Sequence, residues 1–475
     1  MLFIISDQHS RDNSGCYGHP LVQTPHLDAL AARGTRFSRA YTNCPICVPA
    51  RASLATGRYV HQIGHWDNGF PYDGQIPSWG HRLKEQGYRV DSIGKLHFRG
   101  GDDNGFSQEI DPLHVVDGVG DVLGCIRDDP PLRKKHGGIT SAGPGDSTYL
   151  QYDASNAEQA VRWLGQRSDD ERPWCLFLSF VCPHPPYIAP AELFRRYPLD
   201  QVPLAPQWRR ADWPDHPALA YLRRFFDFER GFDEQTLRQV TATYLAVCTY
   251  LDQQIGRVLG ALADSGMEEE TRVLYTSDHG ECLGARGIFG KFTMYEESAA
   301  VPCIVAGPDV PQGREVGTPV SLVDCAPTIL EAVGAQGMDG ELPGRSLWGL
   351  AQGQEEERTV FSEYHAVGSQ HGYYMLRDRR YKYVYYVDAP AQLFDVDADP
   401  GECRDLAADP GHAEVAAGFE RRLRALLDPE AVDQRARADQ QAKVAAHGGE
   451  EAVRQRGAFD NSPVPGETPA FRSFA

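Results

Sequence analysis

No stretch of the 475-residue chain approaches about 18 uninterrupted apolar residues, which excludes a membrane-spanning helix. Positive charge is in deficit: 47 Lys and Arg face 66 Asp and Glu, for a net charge of −19. The broad basic footprint of a nucleic-acid binder is therefore missing, and an anionic ligand has to be held by a local cluster of cations against the global field. A charged leader, a long apolar segment and a small-residue cleavage site are absent near the start, where Met1 runs straight into Leu2-Phe3-Ile4-Ile5. No secretory signal is expected, and the cytoplasm is the expected location. The eleven cysteines have no repeating spacing. They contain one CxxC, Cys44-Pro45-Ile46-Cys47, and no second to complete a four-cysteine zinc site. Free thiols in a reducing compartment are expected rather than a disulfide scaffold. There is no internal repeat.

What is present reads as an α/β protein. Leu2–Ser6, Tyr88–Ile93, Cys175–Val181, Val273–Thr276 and Cys303–Val305 are short, largely apolar runs of strand length. They alternate with helical patterns at Leu27–Ala31, Ala50–Thr56, Trp79–Gln86, Ala157–Leu164 and Gln239–Ala263. Runs apolar on both faces between amphipathic helices predict a large, mostly parallel sheet covered on both sides, an α/β/α sandwich. Near residue 355 the texture changes. Thr359–Tyr364, Gly372–Leu376, Lys382–Tyr386 and Gln392–Asp395 read as closely spaced antiparallel strands, followed by a helix at Ala413–Leu427. The expected organisation is a catalytic domain over 1–354, a smaller C-terminal α+β subdomain over 355–430, and an extended tail over 431–475 whose Phe459–Ala475 segment packs across a subunit contact. Residues 100–150 and 186–235, rich in Pro, Gly and Asp, read as long functional loops.

Three strands end in reactive side chains: the first at Asp7, the Val273 strand at Asp278-His279-Gly280, and the Cys175 strand at Cys182-Pro183-His184. In open α/β sheets sites lie beyond the carboxyl ends of the strands. Asp7, Asp278 and His279 suit a divalent cation, with Gln8 as a further neutral oxygen or an outer partner; the bland alternative is a polar turn. In Cys47-Val48-Pro49-Ala50-Arg51, the helix that follows places Cys47 at a helix N-terminus, where an anion is favoured, and Arg51 offers a fork matched to an oxyanion. Cys47 could equally be a small buried hydrophobe or half of a redox pair with Cys44. Arg51, Lys95, His97, His184 and Lys291 together would line a cationic pocket around a metal, a site for a tetrahedral oxyanion ester.

With Cys47-x-Pro49-x-Arg51 and Ser53-Leu54-x-Thr56-Gly57, Gly94-Lys95-x-His97, Pro183-His184-x-Pro186, Asp278-His279-Gly280 and Lys291, the sequence resembles the formylglycine-dependent type I sulfatases of the alkaline phosphatase superfamily. Tyr250-Leu251-Asp252-x-x-Ile255-Gly256 and Gln392-Leu393-Phe394-Asp395 extend the resemblance to about residue 410. The resemblance implies an alkaline-phosphatase-like fold and a metal-dependent sulfatase acting on a small organic sulfate monoester. It implies oxidation of Cys47 to Cα-formylglycine by a formylglycine-generating or sulfatase-maturing enzyme, attack on sulfur by the aldehyde hydrate, and a covalent sulfoenzyme.

The roles it implies are a metal held by Asp7, Gln8, Cys47, Asp278 and His279, with Asp278 also helping to deprotonate the attacking hydroxyl. His97 would be the base for the second hydroxyl, and His184 and Lys291 would act on the leaving alkoxide. Lys95, Arg51 and the cation would offset charge on the sulfate oxygens. Gln8 and His279 depart from the commoner acidic ligands and resemble the choline-sulfatase and phosphonate monoester hydrolase branches, which leaves calcium or manganese as the expected ion. Asn68 falls where choline sulfatases place an asparagine on the sulfate. Lys95 and His97 favour a sulfatase over the alternative, a phosphonate monoester or phosphodiester hydrolase. A non-catalytic anion-binding protein with unmodified Cys47 is the remaining alternative. A homo-oligomer, dimer or tetramer, is expected.

Overall fold

The computed structural model describes residues 1–167, 172–337, 342–354 and 356–473. Eight strands form the main sheet: β1 (Leu2–Asp7), β2 (Gly34–Phe37), β3 (Arg89–Lys95), β4 (Gln108–Leu113), β5 (Trp174–Pro183), β6 (Val273–Ser277), β7 (Cys303–Ala306) and β8 (Arg314–Val316). Their spatial order is β8-β2-β7-β6-β1-β5-β3-β4. All neighbours are parallel except β7, which runs antiparallel to both β6 and β2. β1 therefore lies at the centre, and its side chains alternate between two cores: Leu2 and Ile4 face one, Phe3 and Ile5 the other. Burial on both faces is why these strands read as continuous apolar runs.

The first core is closed by helices α1 (Pro25–Ala32), α4 (Thr148–Gly165) and α5 (Glu234–Asp264), the second by α2 (Cys47–Thr56), α3 (Trp79–Glu85) and α6 (Cys325–Ala332). This is the expected α/β/α sandwich. The Tyr250-Leu251-Asp252 signature has a structural use: the Asp252 carboxylate accepts the His26 and Leu27 N–H groups (3.1 and 2.8 Å), capping α1 against α5. The second sheet is antiparallel, in the order β9 (Val360–Tyr364), β10 (Tyr373–Arg377), β11 (Tyr381–Tyr386), β12 (Ala389–Asp395), and is followed by helix α7 (Ala413–Leu426).

The segment after residue 430, expected as an extended tail, begins as two helices, α8 (Pro429–Ala446) and α9 (Gly449–Arg456). The physical reason lies in the sequence. Asp428 caps α8 by accepting from the Ala431 N–H (3.0 Å), Pro429 occupies the first helical position, and Ala, Gln and Arg fill the turns. The extended part starts at Gly457 and folds back over the chain's own functional site. Ser462 Oγ shares a 2.9 Å hydrogen bond with His97 Nε2, and the Tyr149 hydroxyl donates to the Ser462 carbonyl (2.6 Å).

Candidate active site

The site is built on the carboxyl edge of four adjacent strands, β6-β1-β5-β3. Ser6 and Ser277 are register partners in the parallel β1–β6 pair, so the residues that follow them, Asp7 and Asp278, emerge side by side. Lys95 ends β3. Gly94 before it has φ 92° and lies so close to β5 that a Cβ there would stand 2.2 Å from the Ser179 carbonyl oxygen, so only glycine lets β3 deliver Lys95 to this edge. Helix α2 starts at Cys47 itself, three residues earlier than the periodicity predicts, and its N-terminus points Cys47 at the strand ends.

Asp7, Cys47, Asp278 and His279 are buried, and each offers a ligand atom within 4.8 Å of the other three. Cys47 Sγ lies 3.2 Å from His279 Nε2 and 3.8 Å from Asp7 Oδ1, and Lys291 Nζ donates to it at 2.9 Å. Lys95 Nζ makes a very short ion pair with Asp7 Oδ2. Burial pushes the Asp7 carboxyl up, but Lys95, His184, Lys291 and His279 outweigh it and hold Asp7 well below the usual carboxylate range. Burial brings His279 down to about 4, helped by Lys291 against the pull of Asp278 and Asp7. Its Nδ1–H donates to the Gly280 carbonyl (3.2 Å), so the neutral ring presents the Nε2 lone pair to Asp7 and Asp278 (3.7 and 3.5 Å). Two carboxylates and a neutral imidazole, turned inward with residue 47, are a donor set that fits a divalent cation.

Two expected roles change with the geometry. Arg51, expected as a fork on the oxyanion, is fully buried behind the acids. Its Nε donates to Asp278 Oδ2 (2.8 Å), and its Nη1 to the Lys95 carbonyl (2.8 Å) and Ser179 Oγ (2.9 Å). It is absent from the pocket lining and acts by holding Asp278 and the end of β3 in place. Gln8, expected among the metal ligands, has its side chain engaged elsewhere: its amide donates to Glu281 and its carbonyl oxygen accepts from Lys291 Nζ (2.8 Å). Its backbone N–H donates to Asp278 Oδ1 (3.1 Å), the contact it does make with the cluster.

Above the cluster lies a cavity of about 80 Å³ lined by Cys47, Asn68, Lys95, His97, His184 and Lys291, the residues expected to meet substrate. Asn68 Oδ1 accepts the Val48 N–H (3.2 Å), which ties the segment to the start of α2. Burial, with Lys95 and Arg51, holds His97 well below its ordinary value; burial and Lys291 do the same to His184. Both rings are neutral near neutrality. Burial works against the Lys291 ammonium, but Cys47, Asp7 and Asp278 raise it.

Several residues of this region were not singled out in the sequence. Arg133, Lys135 and Asp460–Ser462 line the cavity, and Glu281 accepts the Leu283 and Gly290 N–H groups (2.9 and 2.7 Å), shaping the loop that carries Lys291. The Arg133-Lys134-Lys135 run was the available signal for the first two. From the expected loop at 186–235, Phe226 lines this cavity and Phe228 the space next to it. Glu363, Tyr364 and His365 belong to strand packing, with Glu363 bonded to His61 (2.9 Å) and His365 (3.1 Å).

Next to Asn68, burial pushes the Asp67 carboxyl up to about 8, and its Oδ2 has no hydrogen-bond partner. The folded state therefore holds a proton that the unfolded chain releases near pH 4. Stability from this residue is fully present below about pH 4 and is lost as pH rises towards about 8. Asp67→Asn is expected to remove this slope, raising Tm more at about pH 8 than at about pH 5, measured by thermal unfolding across pH.

Fold and site together define a hydrolase of oxyanion esters. A family model described as Sulfatase matches residues 1–335, and one described as N-sulphoglucosamine sulphohydrolase, C-terminal, matches residues 284–428. The chain is 34% identical to a choline-sulfatase of Rhizobium meliloti (strain 1021) over 413 residues, covering 82% of this chain and 78% of that one. It is 32% identical to the arylsulfatase K of Danio rerio over 437 residues, covering 86% and 80%. Among solved structures it resembles the phosphonate monoester hydrolase of Agrobacterium radiobacter, with a TM-score of 0.74, 27% identity, and 90% and 94% of the two chains covered. The chain belongs to the sulfatase family, and its class of reaction is sulfuric ester hydrolysis. Among the described residues no helix is long and apolar enough to cross a membrane.

Proposed function

We propose that the protein hydrolyses a small organic sulfate monoester with a Cα-formylglycine made from Cys47. One observation carries the reading: at the start of α2, Cys47 Sγ stands 2.9 Å from Lys291 Nζ and 3.2 Å from His279 Nε2, among two buried carboxylates. A hydrated aldehyde at this position would supply two hydroxyls, one to attack sulfur and one whose loss of a proton expels sulfate. Asp7, Asp278, His279 and residue 47 would hold one calcium or manganese ion, with Gln8 alongside. That ion would lower the pKa of the attacking hydroxyl and offset charge on the sulfate.

The remaining chemistry belongs to the chain's own side chains. Lys95, Lys291 and Asn68 bind the sulfate oxygens in a site removed from water, where each charge-assisted hydrogen bond counts for more. Neutral His97, steadied through Nε2 by Ser462, takes the proton of the second hydroxyl. His184 donates its Nδ1–H to the Pro185 carbonyl (2.7 Å), which leaves Nε2 facing the departing oxygen. The incoming sulfate raises its affinity for the proton it passes on. The Lys291 ammonium neutralises the alkoxide. Arg51 keeps Asp278 ionised and aimed.

A formylglycine-generating or sulfatase-maturing enzyme is the partner this reading requires. A cytoplasmic location accords with eight cysteines besides Cys47 buried as free thiols. A dimer or tetramer is part of the same reading. The second reading, a phosphonate monoester hydrolase, has the likeness to the Agrobacterium radiobacter enzyme in its favour.

The test combines mass spectrometry of the Cys47 peptide, metal analysis, and rates on 4-nitrophenyl sulfate and a phenylphosphonate ester. The expected result is an aldehyde at residue 47, one divalent ion per chain, and preference for the sulfate. A preference for phosphonate selects the second reading. Normal sulfate turnover by fully unmodified protein refutes both.

A further inference from the structure

Beyond the sulfate cavity, and sharing Lys135, His184, Lys291 and Asp460 with it, lies a second cavity of about 200 Å³ that the alcohol half of the ester would enter. Its wall carries one cation to which the reaction gives no work. Lys135 is pinned by its backbone: its N–H donates to the Arg133 carbonyl (2.9 Å) and the Phe226 carbonyl (3.3 Å). The Lys135 ammonium sits over the rings of Phe226 and Phe292, 5.2 and 6.0 Å from their centroids. Phe292 follows Lys291 in the chain, so the two lysines flank the passage between the cavities.

The other charges here are answered within the protein. Arg133 Nη2 makes two 2.9 Å bonds to Asp121. Asp460 is an exposed carboxylate with Arg472 at 3.6 Å. Lys291 donates to Gln8 and Cys47. Among the described residues no carboxylate lies within 4 Å of the Lys135 ammonium, although the chain as a whole is strongly acidic. Burial, together with Lys291 and Arg133, lowers Lys135 to about 8 against the weaker pull of Asp460 and Asp121. A desolvated ammonium kept beside two other cations, with rings beneath it and open cavity before it, is stabilised once an anion enters.

We propose that Lys135 determines substrate specificity by binding a second oxyanion, a carboxylate or a further sulfate, on the alcohol half of the ester. The proposal rests on the sulfatase reading above and narrows its substrate class. An alcohol bearing a quaternary ammonium is disfavoured, because Lys135 and Lys291 both place an ammonium on the wall of this cavity.

The test is a rate panel on 4-carboxyphenyl sulfate, its uncharged carboxamide counterpart and choline sulfate. The wild-type protein is expected to prefer the carboxylate over the carboxamide, and both over choline sulfate. In Lys135→Gln the carboxylate-to-carboxamide ratio of kcat/KM is expected to fall by about 10- to 100-fold, the scale of one charge-assisted hydrogen bond. Lys135→Arg should recover part of the ratio. A ratio unmoved by Lys135→Gln, or a wild-type preference for choline sulfate, overturns the proposal. Calorimetric affinities of the same two aryl esters for Cys47→Ala protein, with and without Lys135→Gln, give the ratio without turnover. Wild-type protein inactive on all three esters therefore rejects the sulfatase reading, while the affinities still decide the role of Lys135.

Discussion

Cys47→Ala is expected to abolish sulfate ester hydrolysis, with kcat falling by a factor on the order of 10⁴ or more. The side chain at 47 is the one group in the cluster placed to become a nucleophile. It touches Lys291, His279 and Asp7 together, and no neighbouring hydroxyl or thiol shares those contacts: Cys44 packs in the apolar core. Removing the sulfur leaves the acids and cations still paired with one another, through Lys95 with Asp7 and Arg51 with Asp278. The variant should therefore fold, with a Tm within a few degrees of the parent. It should also still bind sulfate. Rates at saturating substrate and sulfate affinity by calorimetry read the two halves of this expectation. Residual activity within about tenfold of the parent would mean that another group attacks sulfur.

Lys291→Ala is expected to cost about 10²- to 10⁴-fold in kcat/KM, and unequally across substrates. A phenol as acidic as 4-nitrophenol leaves without assistance, whereas an alkyl alkoxide needs its charge met. Asp7 and Asp278 favour the Lys291 ammonium against the cost of its burial. It lines both cavities at the point where the ester bond would lie. A plot of log kcat/KM against leaving-group pKa should be shallow for the parent and steeper for the variant. A uniform drop with an unchanged slope would assign Lys291 to sulfate binding instead.

The parts of the site that were legible in the sequence share one property. Asp7, Lys95, His184, Asp278 and His279 each lie at or just beyond the end of an apolar strand, and Cys47 lies at the start of a helix. In a parallel sheet such positions are brought to one edge by topology alone. Residue type was readable there, but direction was not. Nothing in the order of residues says that Arg51 turns back to Asp278, or that Gln8 spends its amide on Glu281 and Lys291. Lys135 was invisible as a site residue because its place depends on contacts distant in the chain: the N–H groups of Arg133 and Lys135 bond to the Phe225 and Phe226 carbonyls. The antiparallel course of β7 was unreadable for a similar reason, since a four-residue apolar run carries no mark of direction. The helix at Pro429–Ala446 did carry a signal, Asp428-Pro429 before good helix formers, but composition alone made it look like tail.

Cys47 is only 2% exposed, and the roof over its cavity comes from residues as late as Ser462. An outside enzyme that oxidised this thiol would have to reach it before the roof existed. Ribosomes add about 5 to 20 residues per second. The roughly 400 residues separating nucleophile from roof thus leave an interval of about 20 to 80 s during synthesis. The chain's own length would act as the clock for its activation, and a truncated transcript or a fast-closing core would alter how much active protein a cell obtains.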